Sequence, residues 1–450
     1  MKYKNQIFPI KIDKLVYQGW GFGKIANIVV FVPQLIPGDI AHIKLVKKKS
    51  RYFIGECISI IEPSPIRQSP SPCIHFKECG GCQLIDIDYP NQIPLMKDIV
   101  LDSIKQFLSN LTFKVLPILK SEHHFYYRNK MEFSFGNNES TLVLGLKKRQ
   151  SYNQIVPISD CKLQSKETNL ILNVTRTFFQ QNHVQAWDSK TSQGLLRYLV
   201  IRHSKSTDSY MINLVVTENN SELFEGYFSY LTSFITSISS FFITLQTSKS
   251  DTAFSENIIH ISGNKFLMEQ LGKKKYHISP LSFFQTNSKQ ATVLYDQIVM
   301  AIKNEDCDTL LDLYCGTGTI GIYVADLCKN VIGIEENPSS ILDAHENARI
   351  NNVKNISFFE GRVKNILKFN SFNPDCIIVD PPRSGMVPKA LRRMIDQQAK
   401  VIIYVSCNPT TLMRDLKEVT ESNYSIEYIQ PVDMFPNTYH IELIAKLRLN

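Results

Sequence analysis

No stretch of this 450-residue sequence is apolar for long enough to cross a bilayer. The longest run without a charge, residues 226–248, is rich in serine and threonine, and its Leu231, Phe234, Ile235, Ile238, Phe241, Phe242 and Leu245 recur at near-helical spacing. That pattern predicts an amphipathic helix running into a strand, whereas a membrane span needs about 20 mostly apolar residues. A secretory leader is also missing: Met1 to Leu15 mixes charged and apolar residues and has no apolar core. No internal repeat is visible. Charged residues at 20% and hydrophobic ones at 43% argue against disorder. The expectation is a cytoplasmic protein with no membrane partner. Its ten cysteines should then be reduced, and clustered ones point to metal binding or catalysis.

The length allows about two to four domains. The net charge of +8 is uneven, since residues 1–67 hold eleven Lys/Arg against four Asp/Glu. A basic amino-terminal module suggests a polyanionic partner, although a solvated basic face would look the same. Residues 1–61 read as short strands (IFPIKID, GKIANIVVFVP, DIAHIKLVKKK, YFIGECISII) with turns at Gly19–Gly23 and Pro37–Asp39. This predicts a small β-barrel. Gly19, Gly21 and Gly23 do not form a nucleotide loop, because a strand follows them and not a helix. Lys47, Lys48, Lys49, Arg51 and Tyr52 place charge and a ring on one hairpin, which suits phosphate contact with base stacking.

Residues 62–72 (EPSPIRQSPSP) carry four prolines and read as a linker. Beyond the cysteine-bearing residues 73–90, an α+β region is expected up to about residue 270. Its clearest hairpin, LLRYLVIRHS with YMINLVVTEN, is expected to display Arg197, Arg202 and His203. From about residue 275 the apolar runs LLDLY, VIGIE, CIIVD and VIIYVS read as parallel strands buried on both faces of a doubly wound, Rossmann-like α/β domain.

The strongest local motif is LLDLYCGTGTIGI, residues 310–322, in which Gly316, Gly318 and Gly321 satisfy GxGxxG. Glu335 follows at the end of the next strand, where a carboxylate can bind ribose hydroxyls. Both NAD enzymes and methyltransferases use that geometry, and these two features alone leave both open. The following strands end in Asp380-Pro381-Pro382-Arg383 and Ser406-Cys407-Asn408-Pro409. Ligands of open α/β sheets bind beyond the carboxyl ends of the strands, so Asp380 and Cys407 are both placed for function. Amine methyltransferases tend to carry an aromatic residue where this chain has Arg383. A second cluster is Cys73-x5-Cys79-x2-Cys82 with Cys161 far downstream. It points to a soft-metal site, with zinc and an iron–sulfur cluster both compatible.

Together SFFQTN (282–287), DLYCGTG (312–318), DPPR (380–383), SCNPTTLMRDL (406–416) and HIEL (440–443) resemble the bacterial RNA 5-methyluridine methyltransferases with an amino-terminal TRAM domain, in particular the members that modify 23S ribosomal RNA. The resemblance covers essentially the whole chain. It implies a class I S-adenosylmethionine-dependent fold in three parts: a TRAM/OB-like barrel over 1–61 that binds RNA, an iron–sulfur and α+β RNA-recognition domain over 62–270, and the methyltransferase domain over 271–450. It implies Cys407 as nucleophile and Glu442 as general base, with Gln285, Tyr314, Glu335 and Asp380 lining the S-adenosylmethionine site. Phe283 would stand near the target base, with Phe284 as a rival. The strings CIHFKECGGCQ and VPISDC match the family's [4Fe–4S] ligands, implying Cys73, Cys79, Cys82 and Cys161. The implied substrate is a uridine of 23S rRNA, with a tRNA enzyme as the alternative. No obligate protein partner is implied, and a monomer is expected. An NAD-dependent oxidoreductase and a non-catalytic RNA-binding protein are the rivals from other classes. Carbon 5 of uracil is a poor nucleophile. A thiolate adding to carbon 6 creates an enolate that attacks the methyl donor, and a base then removes the carbon 5 proton so that the thiolate can leave.

Overall fold

A computed structural model describes residues 5–138, 141–151 and 153–450. Strands β1 (Ile7–Val16), β2 (Trp20–Ile25), β3 (Ile28–Pro33), β4 (Ile40–Lys48) and β5 (Tyr52–Glu62) close into a small barrel. Alternate residues point inward, so Ile10, Ile12, Val30, Val32, Ala41, Ile43 and Leu45 fill it. Gly21 and Gly23 let strands approach: a β-carbon would meet Leu35 O at 2.6 Å at the first position and Lys11 O at 2.5 Å at the second. They are barrel glycines, as the sequence predicts. The run GKIANIVVFVP is a hairpin and not one strand, because Ala26 turns with φ of 51°.

The proline-rich residues 62–72 lead from the barrel to the body and are pinned in place. Arg67 is clamped between Asp39 and Asp86, and its Nη2 also donates to Gln34 O at 2.7 Å. Asp39 is fully buried and accepts from Ser64 N at 2.8 Å. A buried, multiply bonded ion pair of this kind holds the barrel to the body, because losing either partner would strand a charge.

Helix α1 (Tyr89–Phe107) and the short strand β6 (Lys114–Val115) follow. The sequence division places them with the central region, yet β6 extends the edge of the carboxyl-terminal sheet and Met96 and Val100 of α1 enter that sheet's core. The central region is a seven-stranded sheet ordered β13-β12-β11-β10-β7-β8-β9. Its elements are β7 (Lys130–Asn138), β8 (Thr141–Lys147), β9 (Ile155–Pro157), α2 (Lys166–Gln181), β10 (Leu196–Ser204), β11 (Ser209–Val216), α3 (Ser221–Phe234), β12 (Ile238–Leu245) and β13 (Ile258–Gly263). The uncharged stretch is thus α3 running into β12, as its periodicity predicts. Among the described residues no helix is long and apolar enough to cross a membrane.

Arg197, Arg202 and His203 on β10 are buried and not displayed. Arg197 donates to the carbonyls of Gln246, Ser248 and Ser250 and stacks on Trp187, and Arg202 donates to Pro280 and Ser282. His203 stacks on Tyr210 and bonds Asp208. Both faces of this hairpin are covered, so alternation did not separate inside from outside.

The hairpin β14 (Leu267–Leu271) and β15 (Lys274–Ile278) leads to α4 (Ser288–Ile302) and then to β16 (Thr309–Leu313), α5 (Thr319–Val324), β17 (Asn330–Glu335), α6 (Pro338–Ile350), β18 (Ile356–Glu360), α7 (Val363–Phe369), β19 (Cys376–Val379), α8 (Pro388–Ile395), β20 (Val401–Ser406), α9 (Pro409–Thr420), β21 (Tyr424–Val432) and β22 (Glu442–Leu449). The sheet order is β18-β17-β16-β19-β20-β22-β21-β6, parallel except where β22 inserts antiparallel between β20 and β21. Its strands are buried on both faces: Leu310, Ile378, Ile403 and Val405 join one core while Leu311, Ile377, Ile402 and Tyr404 join the other. The chain winds outward from β16 to β18 and then crosses back to β19. The switch point therefore lies between β16 and β19, where ligands of such sheets bind.

Candidate active site

The motifs at 312–318, 380–383 and 406–409 each lie between a strand end and a helix start, whereas SFFQTN leads into α4 and HIEL opens β22. After β16, Tyr314 takes a left-handed φ of 63° and the chain turns through Gly316 and Gly318 into α5. A β-carbon at Gly316 would meet nothing within 4 Å, so this glycine opens space above the sheet. One at Gly321 would meet Asp312 Oδ2 at 2.9 Å, so that glycine lets the helix close on the strand. Asp312 Oδ2 accepts from Gly321 N at 2.8 Å, its other oxygen has no hydrogen-bond partner, and burial pushes its carboxyl up to about 7.

Glu335 ends β17 and spans two backbone donors: Gly316 N at 3.1 Å and Asn337 N at 2.8 Å. It is thereby fixed beside the glycine turn. Gln285 is buried ahead of α4, and its carbonyl accepts from Asn129 Nδ2 at 3.0 Å. Two residues on, Asn287 caps α4 and donates to Met434 O at 3.0 Å, tying this motif to the carboxyl-terminal tail.

The tetrapeptide at 406–409 has a physical logic. Ser406 ends β20, Asn408 caps α9 by accepting from Thr410 N and Thr411 N, and Pro409 occupies the first helical turn. Cys407 is left on the corner. Asn408 Nδ2 also donates to Arg383 O at 3.0 Å, joining the DPPR loop to this corner. Ser406 pairs with Leu443 in the antiparallel β20–β22 register. Continuing that register by one residue sets Cys407 opposite Glu442, within cross-strand reach.

The electrostatics agree with this placement. Burial pushes the Cys407 thiol up to about 12, and Glu442 and Asp380 add to the rise while Arg383 opposes it. Glu442, 4% exposed on an interior strand, is pushed well above the carboxylate range by burial and then by Asp380, with Arg383 opposing. Burial pushes Asp380 up to about 7. One thiol, two carboxyls and one guanidinium thus converge at the carboxyl edge of the sheet, and only the guanidinium favours the thiolate.

Two phenols join them that the sequence did not single out. Tyr17, in the turn after β1 of the barrel, meets Tyr439 edge-on with ring centroids 5.6 Å apart, and both rings sense the charges of Cys407 and Arg383. Tyr439 could have been found beside the HIEL motif. Tyr17 carries no local signal. Phe284 is buried at 3% exposure and Phe283 stands out at 67%, so Phe283 is the ring free to meet a ligand.

Cys73, Cys79, Cys82 and Cys161 line one cavity of about 410 Å³, together with Arg128, Lys130 and Phe283. Burial pushes all four thiols up, and those of Cys79, Cys82 and Cys161 are raised further by neighbours in the set. Arg149 Nη2 donates to the carbonyls of Phe76 and Cys82 and supplies the nearby positive charge. Among the described residues, however, no three His, Cys, Asp or Glu side chains are drawn together closely enough to hold a metal ion. The four cysteines expected as ligands therefore share a cavity but are not assembled into a ligand shell.

Fold and site define a class I S-adenosylmethionine-dependent methyltransferase, and comparisons with known proteins narrow it. The family model described as tRNA (Uracil-5-)-methyltransferase matches residues 251–448, and the TRAM domain model matches residues 1–58. An uncharacterized RNA methyltransferase of Caldanaerobacter subterraneus is 35% identical over 448 residues, 99% of each chain. One from Chlorobaculum tepidum is 36% identical over 98% of this chain and 96% of its own. The crystal structure of Pyrococcus abyssi tRNA (uracil-54, C5)-methyltransferase in complex with S-adenosyl-L-homocysteine superposes with a TM-score of 0.76 at 29% identity, covering 97% of this chain and 100% of the other. The chain belongs to the TRAM-containing RNA uracil-5-methyltransferase family. The oxidoreductase alternative falls with that assignment.

Proposed function

We propose that the chain methylates carbon 5 of a uridine in 23S rRNA, with Cys407 as nucleophile and Glu442 as general base. The observation that carries this reading is that Cys407, one residue past the β20–β22 register, feels the charge of Glu442 at the carboxyl edge of the sheet. Gln285, Tyr314, Glu335 and Asp380 are assigned to S-adenosylmethionine, which supplies an electrophilic methyl group. The opening at Gly316 and the backbone-fixed Glu335 support that assignment. Phe283 is assigned to the target base.

The reaction divides between the paired residues. Cys407 loses its proton and adds to carbon 6, carbon 5 takes the methyl group, and Glu442 removes the carbon 5 proton as the carbon–sulfur bond breaks. Arg383 is the group that favours the thiolate. The barrel hairpin with Lys47, Lys48, Lys49 and Arg51, all exposed, is assigned to the RNA backbone. The target uridine would leave its stack to reach Cys407. Cys73, Cys79, Cys82 and Cys161 are assigned to a [4Fe–4S] cluster. Four sulfurs lining one cavity are the observation behind that assignment, since cysteine thiolates are the ligands of such clusters. Methyl transfer is redox-neutral, so that cluster has a structural or RNA-binding role. A second reading, a tRNA substrate, is favoured by the solved Pyrococcus abyssi enzyme. Mapping 5-methyluridine in ribosomal and transfer RNA from a deletion strain separates the two.

The mechanism is tested through Glu442. Cys407→Ala should abolish methylation and form no adduct. Glu442→Gln keeps the nucleophile but loses a base whose contribution is about 10²–10⁴-fold, so a covalent protein–RNA band should accumulate on a denaturing gel in a cofactor-dependent way. Normal turnover by Glu442→Gln without that band would assign the base elsewhere, with Asp380 the next candidate.

A further inference from the structure

The amino ends of the catalytic strands carry three cysteines that methyl transfer does not use. Cys307 lies in the turn before β16, Cys328 closes the 3-10 turn Ala325–Leu327 before β17, and Cys376 is the first residue of β19. The Sγ atoms of Cys307 and Cys328 are 3.2 Å apart, and the Cys376 thiol also reaches Cys307. The two turns are held in place independently of the sulfurs. Lys329 Nζ pairs with Asp308 Oδ2 at 2.8 Å, and Asn330 N donates to Asp308 O at 2.8 Å.

Exposure differs within the trio. Cys307 and Cys376 are buried at 6% and 1%, whereas Cys328 is half-buried and reachable from solvent. We propose that Cys307 and Cys328 form an oxidation site, in which Cys328 attacks hydrogen peroxide and Cys307 closes an intrachain disulfide. The step balances as a two-electron oxidation. The Cys328 thiolate attacks one peroxide oxygen, the O–O bond breaks, and hydroxide leaves. The resulting sulfenic acid is attacked by the sulfur of Cys307, a sulfur–sulfur bond forms, and the sulfenic oxygen departs as water with the Cys307 proton. Closing the contact to a bond asks for a movement of about 1 Å.

The contact also favours the assignment of roles. The contact with Cys307 holds the Cys328 thiol below its ordinary range, while the same contact and burial push Cys307 up. The solvent-facing member therefore carries more thiolate, which is the nucleophilic form. Cys407 offers no such neighbour and lies at the other end of the sheet. Cys376 pairs with Val401 in register, and Cys407 is six residues beyond Val401, so the two ends are about 20 Å apart at a strand's rise per residue. Cross-linking at the amino end leaves the proposed catalytic groups untouched.

The test uses the full-length reduced chain, freed of reductant, treated with hydrogen peroxide and then alkylated and digested. The expected product is a Cys307–Cys328 linked peptide lighter by about 2 Da than the two thiols. Loss of the free Cys328 thiol should be about tenfold faster than loss of the Cys57 thiol, which is half-buried on the barrel and pushed up by burial. In Cys307→Ser the oxidation of Cys328 should stop at the sulfenic acid and be trapped by dimedone. Equal rates at Cys328 and Cys57, or a Cys307–Cys376 link in place of the expected one, would overturn the proposal. The wild-type rate comparison stands even if a serine variant folds poorly.

Discussion

Cys407 and the four-cysteine cavity present the same element under different neighbours. Every one of these thiols is pushed up by burial, so burial does not distinguish a nucleophile from a ligand. What surrounds them does. Cys407 faces one guanidinium and two carboxyls and no second thiol, so it can lose a proton to add to an electrophile but cannot form a soft-ligand shell. Cys79, Cys82 and Cys161 are each raised by other thiols of the set, so the charge that would ionise one is opposed by the next unless a cation takes up the set. The lesson is that a cysteine's chemistry is read from the sign of its neighbours.

The sharpest way to break that contrast is to remove one cysteine from each side. Cys82→Ser should lose iron and sulfide and the brown colour of anaerobically purified protein, while Cys407→Ser should keep them. Methylation should fall by no more than about tenfold for Cys82→Ser as long as the chain folds, because Cys82 itself has no role in the proposed bond-making steps. Colourless wild-type protein with stoichiometric zinc would reassign the cavity, and loss of methylation equal to that of Cys407→Ser would join the two regions functionally.

A smaller effect is expected at Arg383. It opposes the rise of the Cys407 thiol from an exposed position, so solvent screens it. Arg383→Leu should raise the thiol further. A raised thiol reacts more slowly at a given pH, so carbamidomethylation of Cys407 near pH 8 should slow by about three- to tenfold and recover as pH rises toward the new value. Peptide mass spectrometry across a pH series reads this directly. The rates at Cys79 and Cys161 should not move. An unchanged Cys407 profile would show that the guanidinium serves the RNA alone.

The carboxyl half of the fold was legible because its strands are uniformly apolar and end at recognisable turns. LLDLY, VIGIE, CIIVD and VIIYVS mark β16, β17, β19 and β20, each with its glycine, acid or cysteine at or just past the end. The SCNP string could be read chemically, but its Asn408 cap and the pairing of Ser406 with Leu443, next to Glu442, could not, since β22 returns from far along the chain. The same distance hid α1 and β6, which join the catalytic layer from ahead of the central sheet. Arg197 and Arg202 were misplaced because alternation shows which residues share a face and not whether that face is covered. Tyr17 was invisible for a related reason: the barrel's dock against the catalytic domain depends on Leu15 and Ile36 packing with Leu84, Ile87, Leu95 and Ile99.

The smallest expected effect separates the barrel's two contributions. Its hairpin charges, Lys47, Lys48, Lys49 and Arg51, point to solvent, whereas Tyr17 points to the Cys407 pocket. Exchanging all four cations for glutamine removes phosphate contacts and leaves the dock intact, because Arg67 and the apolar seam remain. Each lost contact on single-stranded RNA should flatten the slope of log affinity against log salt by about 0.7, so the fourfold variant should lose up to about 3 units of slope. Binding of S-adenosylhomocysteine and the alkylation rate of Cys407 should be unchanged. Tyr17→Ala should do the reverse, altering the reactivity of Cys407 while keeping the salt slope. Deleting the whole barrel would mix the two effects, since it also uncovers Leu84, Ile87 and Leu95. A fourfold variant with wild-type affinity across a salt series would place the RNA backbone elsewhere, with Arg128 and Lys130 beside the four-cysteine cavity as the next cations to exchange.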